Sequence, residues 1–265
     1  MKAVSRHNVR VSGPPGAQPM VFAHGFGCDQ NMWRFVAPRF ADRYRVVLFD
    51  HVGCGGSDPT AYDPARYSSL EAYSEDLLEI CRELELTDVV LVGHSVSAMI
   101  AALAVKADPE RFAKLVMVGP SPRYVDDDGY VGGFADEDIT ELLDSLESNY
   151  LGWSSVMAPA IMGNPERPEL GAELTASFCR SDPAVARRFA EVTFRSDNRA
   201  DLADVRTPTL VLQCSEDVIA PVAVGEYVRD AIPGARLVVL DARGHCPNLS
   251  APEQTTSAIA EFVDA

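Results

Sequence analysis

A serine lies at the centre of the segment of this 265-residue chain that is best suited to chemistry. Ser95 is the middle residue of Gly-His-Ser-Val-Ser at 93–97, which follows an apolar run and precedes small residues that suit a helix. This order predicts a buried strand, a tight turn with Ser95 at its apex, and a helix behind it. The pattern G-x-S-x-G presents a nucleophilic serine in this way. Ser97 departs from the pattern, because glycine is expected there.

A serine hydroxyl needs a base that removes its proton and an acid that orients the base. Where the serine lies on such a turn, the acid and then the histidine follow it in loops after later strands. Of the five histidines, His245 alone follows a late predicted strand. His7, His24 and His51 come too early in the chain, and His94 lies in the turn itself. The sequence therefore predicts His245 as the base.

The acid is expected after the strand that ends at Cys214, where Glu216 and Asp217 are adjacent. We favour Asp217, because it lies just before a helix opened by Pro221, whereas Glu216 is expected to face solvent. The alternative, Glu216, would be indicated by full activity of an Asp217→Asn variant.

Acyl transfer also needs backbone N–H groups that stabilise the developing oxyanion. The residue after the nucleophile, Val96, is expected to supply one of them. Phe26 is expected to supply the other, from the His-Gly-Phe-Gly segment at 24–27, and its ring is expected to form pocket wall. The glycines at 53–56 are better interpreted as a turn than as a phosphate-binding loop, because they have neither the Walker lysine nor the dinucleotide spacing.

The elements that position these residues alternate between strand and helix. Strands are predicted at 8–11, 20–23, 45–50, 89–92, 115–119, 209–214 and 236–241, and helices are predicted after Asp29, at 69–84, directly behind the turn at Ser95, and at 221–231 and 252–263. Such alternation predicts an α/β fold with a mostly parallel sheet covered by helices on both faces. Between 123 and 199 we find helical patterns only. We expect an α/β-hydrolase core at 1–122 and 200–265, with a helical lid at 123–199 inserted in it.

Composition limits the partners of the chain. A net charge of −16 and a pI near 4.6 argue against nucleic-acid and anionic-membrane partners, because both need a basic footprint. No secretory signal and no 18-residue apolar stretch are found. The six cysteines are scattered, which favours free thiols, a cytoplasmic location and no zinc site. We expect neither a metal nor an organic cofactor.

Several motifs together resemble one family. They are His-Gly-Phe-Gly-Cys-Asp-Gln at 24–30, Gly-His-Ser-Val-Ser-Ala-Met-Ile at 93–100, Gly-Pro-Ser-Pro-Arg-Tyr at 119–124, Gly-Gly-Phe at 132–134, Asn-Tyr-Leu-Gly-Trp at 149–153 and Gly-His-Cys-Pro at 244–247. The chain resembles the RsbQ family of bacterial α/β-hydrolases of the general-stress pathway, which is similar to the plant strigolactone and karrikin receptors. Ser97 is shared with those plant receptors. The resemblance implies a four-helix lid over an apolar substrate pocket lined by Phe26, Tyr124, Phe134, Trp153, Met157 and Phe194.

The first functional hypothesis is a serine hydrolase acting on a small apolar ester or a butenolide-like lactone, linked to stress signalling. The alternative is a signalling receptor or a positive regulator of a partner such as a sensor-linked phosphatase, with slow hydrolysis. Acidic segments at 126–128 and 136–138 could face that partner. Cofactor-free haloperoxidase, C–C hydrolase or lyase chemistry would retain a serine triad and stays open. Dehalogenase and epoxide hydrolase chemistry would need a carboxylate at position 95.

Overall fold

A seven-stranded sheet forms the centre of the computed structural model, which describes residues 2–265. The strands follow the order β1-β3-β2-β4-β5-β6-β7, and all neighbouring pairs are parallel except β1 and β3. This confirms the predicted α/β fold class. The strands are β1 (Arg10–Ser12), β2 (Pro19–Ala23), β3 (Arg45–Leu48), β4 (Val89–His94), β5 (Phe112–Val118), β6 (Thr209–Glu216) and β7 (Arg236–Arg243).

Helices cover both faces of the sheet. Those outside the predicted lid are α1 (Ala3–Arg6), α2 (Leu70–Glu83), α3 (Val96–Ala107), α8 (Val222–Ala231), α9 (Pro247–Ser250) and α10 (Pro252–Val263). The central strands are buried on both sides. Val89 and Leu91 of β4 face a core shared with α2, α3 and α8, and Val90 and Val92 face a second core shared with α10 and the lid helices. Burial on both faces explains why these strands are continuous apolar runs.

Four helices lie between β5 and β6, within the segment predicted to be a lid. They are α4 (Asp136–Ser148), α5 (Tyr150–Met162), α6 (Pro168–Phe178) and α7 (Pro183–Phe194). Helix α5 packs against α6, and α4 packs against both α5 and α7. Most of their buried apolar residues join the second core, whereas Phe189 and Val192 of α7 belong to the first. The exact boundaries of the lid stay a prediction. None of the helices within residues 2–265 is long and apolar enough to cross a membrane.

The expected helix after Asp29 is not a single α-helix, so that prediction was wrong. Two short 3₁₀ segments, Gln30–Trp33 and Ala37–Phe40, take its place. Their backbone N–H groups bond to carbonyls three residues earlier, and Pro38 has no N–H with which to continue an α-helical ladder. The Asp29 carboxylate nevertheless caps the first segment, accepting from the Asn31 N–H at 2.8 Å.

Candidate active site

Ser95 lies on a sharp turn between β4 and α3. Its φ of 57° and ψ of −125° are rarely adopted by residues other than glycine, so the backbone is strained at this point. The turn depends on Gly93, because a Cβ there would lie 2.2 Å from the Ser97 carbonyl oxygen. The Ser95 N–H donates to the Val118 carbonyl at 2.8 Å, which ties the turn to β5. The strand, turn and helix predicted from the sequence are therefore present.

The structure brings Ser95, His245 and Asp217 into one hydrogen-bonded line. His245 Nε2 lies 2.7 Å from Ser95 Oγ, and His245 Nδ1 lies 2.7 Å from Asp217 Oδ2. All three side chains are buried. A neutral imidazole that donates from Nδ1 to a carboxylate presents a lone pair at Nε2 to the serine hydroxyl. The arrangement can therefore accept a proton from Ser95.

The Asp217 carboxylate is held in its ionised form although it is buried. Burial alone would raise its pKa, but the charge of His245 and hydrogen bonds from its ring and from two backbone N–H groups outweigh that effect and hold the pKa below its usual value. The two N–H groups belong to Ile219, at 2.8 Å, and Ala220, at 3.1 Å, and both bond to Oδ1. Glu216, the alternative acid, has an exposed side chain that pairs with Arg243.

His245 is fixed by its backbone as well as by its ring. Its N–H donates to the carbonyl of Ile161, in the last turn of α5, at 2.8 Å. Its carbonyl accepts from His94 Nε2 at 2.7 Å. Burial, and next the charge of His245, lower the pKa of His94 to about 3, so this ring is neutral and carries its proton on Nε2. His94 thus acts as a neutral donor to the loop that carries His245.

Two backbone N–H groups beside Ser95 are free to bind an oxyanion. Within residues 2–265, the N–H groups of Phe26 and Val96 have no hydrogen-bond acceptor. Val96 is the first residue of α3, where unpaired N–H groups and the helix dipole favour negative charge. The loop of Phe26 approaches the turn because residue 25 is glycine: a Cβ there would lie 2.6 Å from His94 Nδ1 and 3.3 Å from Ser95 Cβ.

A small apolar cavity of about 30 Å³ adjoins Ser95 and His245. Phe26, Tyr124 and Phe194, which were predicted to line the pocket, do line it. Eight further residues that were not predicted as substrate-binding also line it: Cys28, His94, Ile161, Leu174, Phe178, Thr193, Ile219 and Cys246.

Three residues predicted to line the pocket lie outside this cavity. Trp153 stacks on the ring of Phe178, with centroids 5.5 Å apart, and Phe178 forms the wall in its place. Phe134 and Met157 are partly buried and pack against the second core. Among the described residues, these three therefore support the wall or the lid, and a substrate contact for them stays a prediction.

The hydroxyl of Tyr124 is a buried polar group in the wall of the cavity. The side chain is 1% exposed, and its hydroxyl has no hydrogen-bond partner among residues 2–265. Burial raises the pKa of Tyr124, so the phenol keeps its proton at neutral pH. The phenol lies beside Ser95 in the cavity wall and keeps a proton that it can donate.

The sequence pattern of the alpha/beta hydrolase family matches residues 20–258. This chain belongs to the alpha/beta hydrolase family. It is 40% identical over 248 residues to a karrikin insensitive 2 receptor of Petunia hybrida, covering 93% of this chain and 92% of the relative. It is 40% identical over 257 residues to a strigolactone esterase of Arabidopsis thaliana, covering 97% and 94%.

Solved structures agree with this assignment. A hydrolase from Oleispira antarctica superposes with a TM-score of 0.96 at 41% identity, covering 99% of this chain and 96% of that one. The predicted resemblance to the RsbQ-type, receptor-like hydrolases is confirmed, as is the predicted enzyme class, a carboxylic ester hydrolase.

Proposed function

We propose that this hydrolase cleaves a small apolar ester or lactone through an acyl-enzyme on Ser95, with His245 as the base and Asp217 as the acid that orients it. The observation that carries the proposal is the geometry of His245, which lies 2.7 Å from Ser95 Oγ on one side and 2.7 Å from Asp217 Oδ2 on the other. Two free backbone N–H groups and an apolar cavity adjoin the serine.

Each step follows from these positions. Ser95 Oγ attacks the carbonyl carbon while its proton passes to His245 Nε2, and Asp217 stabilises the imidazolium that forms. The N–H groups of Phe26 and Val96 bind the tetrahedral oxyanion. The intermediate collapses when His245 returns the proton to the leaving alkoxide, which stays attached to the acyl group if the substrate is a lactone. Water, deprotonated by His245, then attacks the acyl-enzyme, and His245 returns that proton to Ser95 Oγ as the bond to the acyl group breaks and the acid is released.

The size of the cavity supports a small substrate. Ligand pockets usually measure ~300 to 1,000 Å³, whereas this cavity has a volume of about 30 Å³. Because its wall is built mostly of aromatic and aliphatic side chains, we expect the cavity to accommodate an acyl group of only a few atoms. The Tyr124 hydroxyl would donate to an oxygen of the substrate beside the scissile carbonyl.

The test is labelling with a fluorophosphonate that reacts with activated serines. Wild-type protein should be labelled at Ser95 and the Ser95→Ala variant should not. Turnover should be measured with p-nitrophenyl acetate, butyrate and octanoate, and the small cavity predicts that kcat/KM is highest for acetate. An unlabelled wild-type protein would contradict the proposed nucleophile.

A second candidate function is signal reception through the same site. Its support is the similarity to relatives that are named receptors and to a named strigolactone esterase. A butenolide ether would distinguish the two roles. A receptor should give one rapid turnover, a long-lived adduct seen by mass spectrometry and slow release, whereas fast steady-state turnover of simple esters would favour metabolic hydrolysis.

The biological setting proposed from the resemblance is stress signalling in the cytoplasm, with a sensor-linked phosphatase as protein partner. The acidic segments at 126–128 and 136–138 are candidates for the partner-facing surface. Co-purification from the native cell with Ser95→Ala as bait tests this setting. Recovery of such a phosphatase supports it. Haloperoxidase, C–C hydrolase or lyase turnover in the absence of ester hydrolysis would instead favour the remaining alternatives.

A further inference from the structure

Ser97, which departs from the G-x-S-x-G pattern, makes two hydrogen bonds through its hydroxyl, one as donor and one as acceptor. Ser97 is completely buried in the first turn of α3. Its Oγ donates to the carbonyl oxygen of His24 at 2.5 Å, and it lies 2.7 Å from His51 Nε2. A carbonyl oxygen only accepts, so the single hydroxyl proton points at His24. The ring of His51 must therefore donate from Nε2 to the Ser97 oxygen.

The protonation of His24 follows from similar reasoning. Its Nε2 accepts the backbone N–H of His51 at 3.0 Å, so the ring proton is on Nδ1. That Nδ1–H donates to the Gly25 carbonyl at 2.9 Å. Burial lowers the pKa of both His24 and His51, which keeps both rings neutral and these donor and acceptor roles fixed.

These bonds fix two consecutive peptide groups. The His24–Gly25 peptide is held by Ser97 on its carbonyl and by Met32 Sδ, 3.4 Å away, on its N–H. The Gly25–Phe26 peptide is held on its carbonyl by the His24 ring and, at 3.3 Å, by the Cys28 N–H. Because a peptide group is planar and trans, its N–H points opposite to its carbonyl. Fixing the Gly25 carbonyl therefore aims the Phe26 N–H, the expected oxyanion donor.

We propose that Ser97 is a positioning residue for the oxyanion hole. It connects the helix that carries the nucleophile to the loop that carries the second donor, with His51 supporting it and the His24 ring completing the connection. Glycine at position 97, as in the usual pattern, would leave the buried His24 carbonyl and the His51 Nε2–H without partners. Gly25 has no side chain to restrain its own backbone, so the orientation of its two peptide groups depends on the bonds made to them. This inference rests on the proposed roles of Ser95 and Phe26.

The test compares Ser97→Ala and Ser97→Thr with Thr255→Val as a matched control. Thr255 is fully buried in α10, its hydroxyl bonds to the Ala251 carbonyl, and it does not line the cavity beside Ser95. Wild-type labelling by a fluorophosphonate is measured first. We then measure kcat and KM for p-nitrophenyl acetate and the affinity for a trifluoromethyl ketone, whose adduct with the serine places an oxyanion in the hole.

Removing a whole oxyanion donor costs about 10²- to 10³-fold in kcat. A change in the orientation of the Phe26 N–H, which is still present in the variant, should lower kcat less than that. We therefore expect Ser97→Ala to lower kcat about tenfold, with KM within about twofold of wild type. Affinity for the trifluoromethyl ketone should fall by the same factor. Ser97→Thr, which keeps the hydroxyl, should restore most of both. Thr255→Val should change neither, although it lowers the melting temperature.

Unchanged kcat and unchanged ketone affinity in Ser97→Ala would overturn the proposal, as would an equal loss in Thr255→Val. If Ser97→Ala does not fold, His51→Phe serves instead. A phenylalanine keeps the ring packing against Phe49 and Tyr73 and removes the Nε2–H donor. A two- to fivefold fall in kcat with unchanged KM is expected there, and no fall would overturn the proposal. Failure of wild-type labelling would be a different result, since it contradicts the nucleophile itself.

Discussion

Replacing Asp217 by asparagine should stop catalysis without unfolding the protein. Asp217 Oδ1 accepts two backbone N–H groups, from Ile219 and Ala220, so the amide oxygen of asparagine must take that position. The amide NH₂ then occupies the place of Oδ2, which lies 2.7 Å from His245 Nδ1. An NH₂ group only donates there. His245 is forced to carry its proton on Nε2, facing Ser95, where it cannot accept another.

The size of the effect can be estimated from the two functions lost. The base has the wrong tautomer, and the carboxylate that stabilises the imidazolium is gone. The same change in a serine-protease triad lowers kcat about 10⁴-fold. We expect a loss of ~10³- to 10⁴-fold, which corresponds to about 4 to 5.5 kcal/mol of activation free energy. KM should change little, because Asp217 is shielded from the cavity behind His245.

The assay is steady-state hydrolysis of p-nitrophenyl acetate, with thermal unfolding as the check on folding. Glu216→Gln is the matched control, because it removes the neighbouring carboxylate, which is exposed and paired with Arg243. Its kcat should stay within about twofold of wild type. A folded Asp217→Asn variant with more than a tenth of the wild-type kcat, or a large loss in Glu216→Gln, would refute this reasoning.

Three further outcomes are expected. The pKa values of four buried histidines, His7, His24, His51 and His94, are lowered in the folded protein, so the unfolded chain binds more protons below pH 6.5. The free energy of unfolding, measured by urea titration, should therefore fall with falling pH by up to roughly 1.4 kcal/mol per pH unit for each histidine. Equal stability at pH 7.5 and pH 5 would contradict this. Gly244→Ala should lower the melting temperature and kcat more than Gly234→Ala, since both glycines have positive φ but only the Cβ at 244 would clash, 1.9 Å from a carbonyl oxygen of α5. Phe178→Leu should shift the preferred acyl chain of p-nitrophenyl esters toward longer chains, whereas Phe189→Leu, a change behind the cavity wall, should not.

Periodicity was sufficient to predict most of the fold. Strands buried on both faces are continuous apolar runs, and α2 and α10 have one apolar face, so their positions in the sequence were evident. Helix α1 was not predicted, because four residues are too few to show a period. The segment after Asp29 was misassigned because its apolar spacing fits an α-helix, while Pro38 prevents the continuous hydrogen-bond ladder that an α-helix needs.

The catalytic residues of the site could be predicted from the sequence, whereas much of the cavity wall could not. The motif at 93–97, the order of the chain and the place of Asp217 before Pro221 together predicted Ser95, Asp217 and His245, and the structure places His245 within hydrogen-bond distance of the other two. The cavity wall could not be predicted as well, because which aromatic side chain reaches the cavity depends on how the lid helices rotate. Phe178 reaches the cavity and Trp153 stacks behind it. A signal for Phe178 was available in the sequence, since it continues an apolar stripe with Leu170 and Leu174 on α6.

Substrate entry and triad geometry are physically connected in this fold. The Ile161 carbonyl at the end of α5 accepts the His245 N–H, and the backbone of Gly244 packs directly against Met162 of the same helix. A lid movement that carried this end of α5 away would release the loop of His245 and disturb its alignment with Ser95. For fast hydrolysis, the cavity must therefore open elsewhere, while this end of α5 stays in place. In a receptor, the same contact would serve the opposite purpose, since a ligand that displaces α5 would stop the chemistry and change the shape of the lid together. The bond between Ile161 and His245 is thus where the two proposed functions make different physical demands on the same structure.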